Sequence, residues 1–192
     1  MKKTGHSYRI IETPVGKTGI VCLSGTRPKI VHIFLPTEDL RQAVSALFPD
    51  AREADDGESS ENICRSVLEW FTGPDWTFDS SRLDQGCCYN FQKRVLLETA
   101  AVPRGKVTTY GSLAAQLSVP GAARAVGTAL GRNPFPLVIP CHRVVRSDGS
   151  LGGFGGGLPM KRKLLEMEGV EFDAKGRVKP EYIMSPDSSR NR

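Results

Sequence analysis

The residues best suited to bond-making chemistry lie in one short run, Pro140-Cys141-His142-Arg143-Val144, where a thiol stands beside an imidazole. A thiol is mostly protonated at neutral pH and becomes a nucleophile when a nearby base or positive charge lowers its pKa. His142 is the nearest base in sequence. Pro134, Pro136 and Pro140 fix the backbone ahead of the thiol and exclude a helix there, so the run reads as extended. Adjacent side chains of an extended strand point to opposite faces, which requires a bend or a bridging water between Cys141 and His142. A third group comes from a separate pattern. Residues 158–169 read as a helix, with Pro159 near its first turn and Gly169 just past its end. Glu168 shares a face of that helix with Lys161, Leu164 and Leu165, so the face turns inward, and a buried carboxylate needs a partner such as a histidine N–H. Spacing alone leaves two readings open. One is a reactive Cys-His-Glu constellation; the other is a structural thiol, with Glu168 solvated at its helix end beside a Lys or Arg.

The elements ahead of this run give it a setting. Thr109 can cap a helix through Tyr110, Leu113, Ala114 and Leu117; residues 118–121 then turn tightly into a second helix that ends near Gly131. This is a helix-turn-helix pattern. On the second helix Ala122, Val126, Ala129 and Leu130 share one side, which leaves Arg124, Gly127, Thr128 and Gly131 on the other. An ordinary recognition helix offers several polar side chains to the major groove, whereas this face has one long side chain among small ones. Small residues suit close approach to a minor groove with one Arg reaching into the base stack. They suit packing against another helix equally well.

The 192-residue chain suffices for one large domain or two small ones. Residues 8–35 hold short β-branched runs between Pro and Gly, the pattern of an antiparallel meander. Residues 40–48 and 63–71 have helical spacing, and residues 72–86 carry the domain connection. After it, residues 90–101 form a helix with Phe91, Val95, Leu96 and Thr99 on one side. The formal net charge is +5, and it is unevenly placed. Acidic residues gather in residues 50–61, while residues 104–163 carry many Lys and Arg against a single acid, Asp148, a distribution that favours polyanions. Five cysteines, including Cys87 and Cys88 side by side, make a poor disulfide framework and point to a reducing compartment. No signal peptide or membrane span is legible, so a soluble intracellular protein is expected. His6, Cys22, His32 and Cys64 lack a recognisable metal-ligand spacing.

The run Pro140-Cys141-His142-Arg143-Val144-Val145, preceded by Asn133-Pro134 and by the helix-turn-helix, resembles the active-site signature of O6-alkylguanine-DNA alkyltransferases. The likeness extends from Phe91 to Gly169, while the first domain shares only its strand-rich pattern and its Thr13-Pro14-Val15-Gly16 turn. The resemblance implies an α+β fold: residues 1–85 form an antiparallel sheet with helices, ribonuclease H-like. Residues 86–178 form a helical, winged-helix-like domain containing the helix-turn-helix, and residues 179–192 form a mobile tail. It also implies DNA repair by direct reversal, in which Cys141 accepts the alkyl group of an alkylated guanine once and irreversibly, with alkylated thymine as a second substrate to test. His142 would be the base acting through water, Glu168 its orienting carboxylate, Tyr110 the proton donor beside the flipped nucleotide, and Asn133 a hydrogen-bond bridge. Arg124 would be the finger that fills the space left by the flipped base, with Ala123, Gly127, Thr128 and Gly131 against double-stranded DNA in the minor groove. Val144, Phe154, Gly155 and Lys161 would line the base pocket; Phe154 stands where some members carry Tyr, and Gly155 where some carry Ser. The resemblance implies no cofactor; some members hold a structural zinc in the first domain, which the spacing of His6, Cys22, His32 and Cys64 does not support here, and no membrane partner is expected. It implies a monomer, with cooperative binding on DNA open, in the cytoplasm, or in the nucleus if the source is a eukaryote. An alkyltransferase-like binder would lack the thiol, a regulator would read sequence, and a Cys-His hydrolase would need an oxyanion hole.

Overall fold

The computed structural model describes residues 5–25, 27–54, 58–73, 76 and 78–184. The chain divides into two compact units: Met1–Cys87 together with Pro134–Val138, and Cys88–Asn133 together with Ile139–Arg192. The fold is α+β, as expected.

In the first unit, β1 (His6–Ile11), β2 (Thr18–Leu23) and β3 (Lys29–Phe34) form the antiparallel meander read from the sequence. The apolar run of β2 shows no alternation because β2 lies inside the sheet and is buried along almost its whole length. Helix α1 (Leu40–Leu47) starts at Asp39, whose carboxylate accepts from the Gln42 N–H at 2.9 Å. Its Val44 joins Val21 and Val31 in a buried cluster. A short strand β4 (Arg52–Glu53) pairs parallel with the edge of β1, which the sequence did not reveal: two exposed charged residues carry no strand signal. Helix α2 (Glu58–Thr72) is longer at its start than expected. The segment expected to carry the connection, residues 72–86, falls within this unit, where Asp84 N donates to Ile30 O at 2.8 Å and Leu83 bridges to Ile30. The Pro134–Val138 segment is also held here, with Ile33 N donating to Pro134 O at 2.8 Å. Within it Leu137 is fully buried at φ +73, a conformation a leucine keeps only when its surroundings impose it.

The second unit positions the chemistry. Helix α3 (Asn90–Ala100) places the buried Gln92 so that Nε2 donates to Ala129 O and Arg132 O, while Arg94 Nη2 donates to Leu117 O at 2.7 Å. It thereby satisfies carbonyls at the ends of both helices of the helix-turn-helix, which an isolated helix leaves open. Strand β5 (Thr108–Thr109) leads directly into α4 (Tyr110–Gln116), capped by Thr109 Oγ1 accepting from Ser112 N at 3.0 Å. Helix α5 (Ala123–Gly131) buries Val126, Ala129 and Leu130 and leaves Arg124, Thr128 and Gly131 exposed, as read from its spacing, whereas Ala122 ahead of it and Gly127 beside the Tyr110 ring are half-buried. A tight helical turn, Cys141–Arg143, precedes β6 (Val144–Val145), which pairs parallel with β5 and sets the turn near the start of α4. Helix α6 (Gly157–Met167) ends at Glu168.

Residues 179–184, expected to lie in a mobile tail, are held against the second unit's core. Val107 N donates to Tyr182 O, Met184 N donates to Val107 O, and Tyr182 and Ile183 pack on the cluster of Val107, Val145, Leu165, Val170 and Val178. Apolar Tyr182 and Ile183, read as part of a polar tail, are what tie it down. Residues 185–192 lie outside the described residues.

Candidate active site

Cys141 does not sit on an extended strand. Pro140 has φ −81 and ψ +63, and Cys141 N donates to Ile139 O at 2.8 Å, the geometry of an inverse γ-turn for which proline is preset. Arg143 N then donates to Pro140 O at 2.9 Å, closing the helical turn. The prolines exclude a long helix but not a single turn. This corrects the expectation of opposed side chains and supplies the bend that it called for.

Asn133 follows α5 and sends Nδ2 to Ile139 O at 3.0 Å; its side chain also hydrogen-bonds the Cys141 thiol. These bonds join the residue that follows α5 to the cysteine segment. Burial pushes the Cys141 thiol up, opposed by Asn133, by the positive charge of Lys161 and by backbone N–H groups. His142 is fully buried, and burial pushes it below its ordinary value, so it rests as a neutral imidazole at neutral pH.

His142 Nε2 lies 3.0 Å from Glu168 Oε1. Burial alone would raise the carboxyl, but hydrogen bonds and charge from His142 and Arg143 hold it at about 2. The ionised carboxylate can only accept, so Nε2 carries the proton and Nδ1 the lone pair. Glu168 is buried on the inward face of α6 beside Lys161, Leu164 and Leu165, as the helical spacing predicts. Lys161 is also fully buried: Nζ donates to Val144 O at 2.6 Å and to Leu151 O and Gly153 O. Burial brings its pKa down to about 8. Its ammonium ties the start of β6 to the glycine-rich loop ahead of α6.

A cavity of about 810 Å³ opens onto Cys141. One side is α5, through Ala123, Arg124, Gly127, Thr128 and Gly131; the other is the loop carrying Phe154 and Gly155, with Tyr110 between. Gly152 shows why the loop is glycine-rich. Its φ is +66, and a Cβ there would lie 2.9 Å from the Tyr110 hydroxyl. Burial raises the Tyr110 pKa, so its hydroxyl remains a donor. His142, Glu168, Asn133, Val144 and Lys161 are not among the lining residues; they stand behind Cys141, while Tyr110, Arg124, Phe154 and Gly155 face the cavity. His142 and Phe154 meet edge to face with ring centroids 6.4 Å apart.

Two residues escaped the sequence reading. Arg146 lines the cavity, and with Arg124 it makes the charged part of the lining entirely cationic. Arg143 clamps Glu168 with Nε 2.9 Å from Oε2 and Nη2 2.8 Å from Oε1, while Nη1 donates to Val102 O at 2.6 Å. The available signal was the unpaired inward carboxylate, which needed a cation as well as an imidazole. Among the described residues, no group of three or more His, Cys, Asp or Glu could hold a metal ion. None of their helices is long and apolar enough to cross a membrane.

Residues 90–170 match the family model described as 6-O-methylguanine DNA methyltransferase, DNA binding domain. A methylated-DNA–protein-cysteine methyltransferase of Methanothermobacter thermautotrophicus is 48% identical over 113 residues, an alignment that spans 59% of this chain and 63% of that protein. The protein of the same name from Mycobacterium tuberculosis is 34% identical over 84% of this chain and 91% of its own length. The crystal structure of Mycobacterium tuberculosis OGT in complex with DNA superposes with a TM-score of 0.67 at 34% identity, covering 84% of this chain and 92% of that one. With identity and fold shared across nearly the whole length of the mycobacterial relative, the chain belongs to the methylated-DNA–protein-cysteine methyltransferase family.

Proposed function

We propose that this protein repairs alkylated guanine in double-stranded DNA by moving the alkyl group once, irreversibly, to Cys141. The observation that carries the reading is Cys141 opening onto a cation-lined cavity, with a neutral His142 and ionised Glu168 buried behind it. His142 takes the thiol proton, directly or through water, and becomes an imidazolium stabilised by Glu168. The thiolate attacks the alkyl carbon, the C–S bond forms as the C–O bond breaks, and the electron pair leaves on guanine. Tyr110 donates a proton to the departing base and is reprotonated at the expense of the imidazolium. The net change is a thioether on Cys141 and an unmodified guanine carrying the former thiol proton. A thioether offers no route for hydrolytic return, so each molecule acts once.

Access to the base follows from α5. A Cβ at Gly131 would meet nothing within 4 Å, and the exposed face presents Arg124 beside small residues. Such a face approaches a minor groove about 6 Å wide, where a conventional recognition helix does not fit. Arg124 fills the stack while the damaged nucleotide turns out into the cavity beside Tyr110. The protein acts as a monomer, with cooperativity along DNA an outcome of titration. Its place is wherever the cell keeps DNA, the cytoplasm or a nucleus. The same chemistry extends to alkylated thymine.

Nucleoside analysis of the DNA tests this. A duplex bearing one methylated guanine, incubated with excess protein, should return unmodified guanine, and excess duplex should be repaired only up to one equivalent per protein. Repair beyond that equivalence would favour a turning-over hydrolase, and loss of the whole base would overturn direct reversal.

A further inference from the structure

Glu168 accepts from His142 and from Arg143 at the same time, and all three side chains are buried. A carboxylate whose sole partner is an imidazole draws a proton onto that ring and makes an ion pair. Here the guanidinium has already neutralised it, using both oxygens. Among the described residues, the charged groups that act most on His142 are Glu168 and Lys161 from α6 and its end and Arg143 from its own turn; Val102, just past α3, gives its carbonyl to Arg143. Protonating His142 would therefore add a buried cation near Lys161 and Arg143, with Glu168 as a counter-ion already shared with the guanidinium.

We infer that Arg143 is a positioning residue for alkyl transfer, holding Glu168 so that His142 is both oriented and kept neutral until it receives the Cys141 proton. The inference rests on the proposed role of Cys141 and His142. It also explains a division of labour: Glu168 fixes the tautomer, and Arg143 keeps the carboxylate from acting as a proton trap. Arginine suits this because its planar fork meets both oxygens and still reaches Val102 O, which the point charge of lysine does not reproduce.

The test is the pH dependence of methyl transfer in Arg143→Gln and Arg143→Lys, with folding followed by circular dichroism. Removal of the guanidinium lets Glu168 raise the His142 pKa, so the acid limb of the rate profile moves to higher pH. Arg143→Gln should lose at least about tenfold in rate between pH 8.5 and pH 6, the wild type less than about threefold, and Arg143→Lys an intermediate amount. A uniform loss with an unmoved limb, or no loss, would overturn the inference. Nitrogen NMR of His142 in the wild-type protein needs neither DNA nor a folded variant. It should show a neutral ring protonated on Nε2 at about pH 6. An imidazolium at that pH would sink the inference while leaving alkyl transfer untouched, and a neutral ring in a protein that moves no methyl would sink the function alone.

Discussion

Glu168 is held at about 2 against an ordinary 4.5, so it remains ionised in the folded protein at pH values where the unfolded chain takes up a proton. A depressed carboxylate contributes stability that is full above about pH 4.5 and lost as pH falls through about 2, on the order of 3 kcal/mol in all. His142 acts in the same direction, because its pKa is also lowered and acid favours the unfolded state that protonates more readily. Urea unfolding from pH 5 to pH 2 should therefore show a steep loss in the wild type. Glu168→Gln should be less stable at neutral pH by about 3–5 kcal/mol, since it strands the Arg143 charge, and should show a shallower acid dependence. An identical acid slope in the variant would contradict the assignment. At this scale the sequence revealed Cys141 and the inward Glu168, because helical periodicity marks a face. Arg143 stayed hidden because only the three-residue turn brings it under the carboxylate.

At the scale of elements, α5 is the part whose use was most legible and whose partner was least so. Its spacing separated Val126, Ala129 and Leu130 from Arg124, Gly127, Thr128 and Gly131, and the structure buries the first set. The same pattern would have served helix packing, and only the open cavity on the small-residue side separates the two. At Gly131 an added Cβ would meet nothing within 4 Å, so Gly131→Leu should keep or slightly raise thermal stability. Affinity for duplex DNA should fall at least about tenfold through obstruction of the groove. Arg124→Ala should keep more of the binding yet lose methyl transfer from duplex. Fluorescence anisotropy and a transfer assay read the two effects separately; unchanged DNA affinity for Gly131→Leu would remove α5 from the interface. The Cys141–Arg143 turn was illegible for a different reason: three prolines argue against a helix, and a single turn preset by Pro140 escapes that argument.

For the molecule as a whole, the strands of the first unit's meander and the helices of both units followed from apolar periodicity, while the pairings that add no periodic signal did not. β4 is one such pairing, the β5–β6 pair is another, and the segment after Val170 is a third. The family model ends at residue 170, yet Phe172, Tyr182 and Ile183 pack on Val107, Val145 and Leu165, which carry β5, β6 and α6. A chain ending at Val170 would expose that cluster and lose the hydrogen bonds to Val107. It should melt at least several degrees lower and move methyl groups more slowly, since Tyr110 and Cys141 hang from the same two strands. Equal melting and equal rate would show the segment to be dispensable.

Peptide mass spectrometry after incubation with methylated-guanine duplex follows the one sulfur atom on which the repair reaction turns. The peptide containing Cys141 should gain the mass of one methylene, complete at one equivalent of lesion, with Cys22, Cys64, Cys87 and Cys88 unchanged. An unmodified Cys141 after the lesion has disappeared, or the methyl group on another residue, would contradict it.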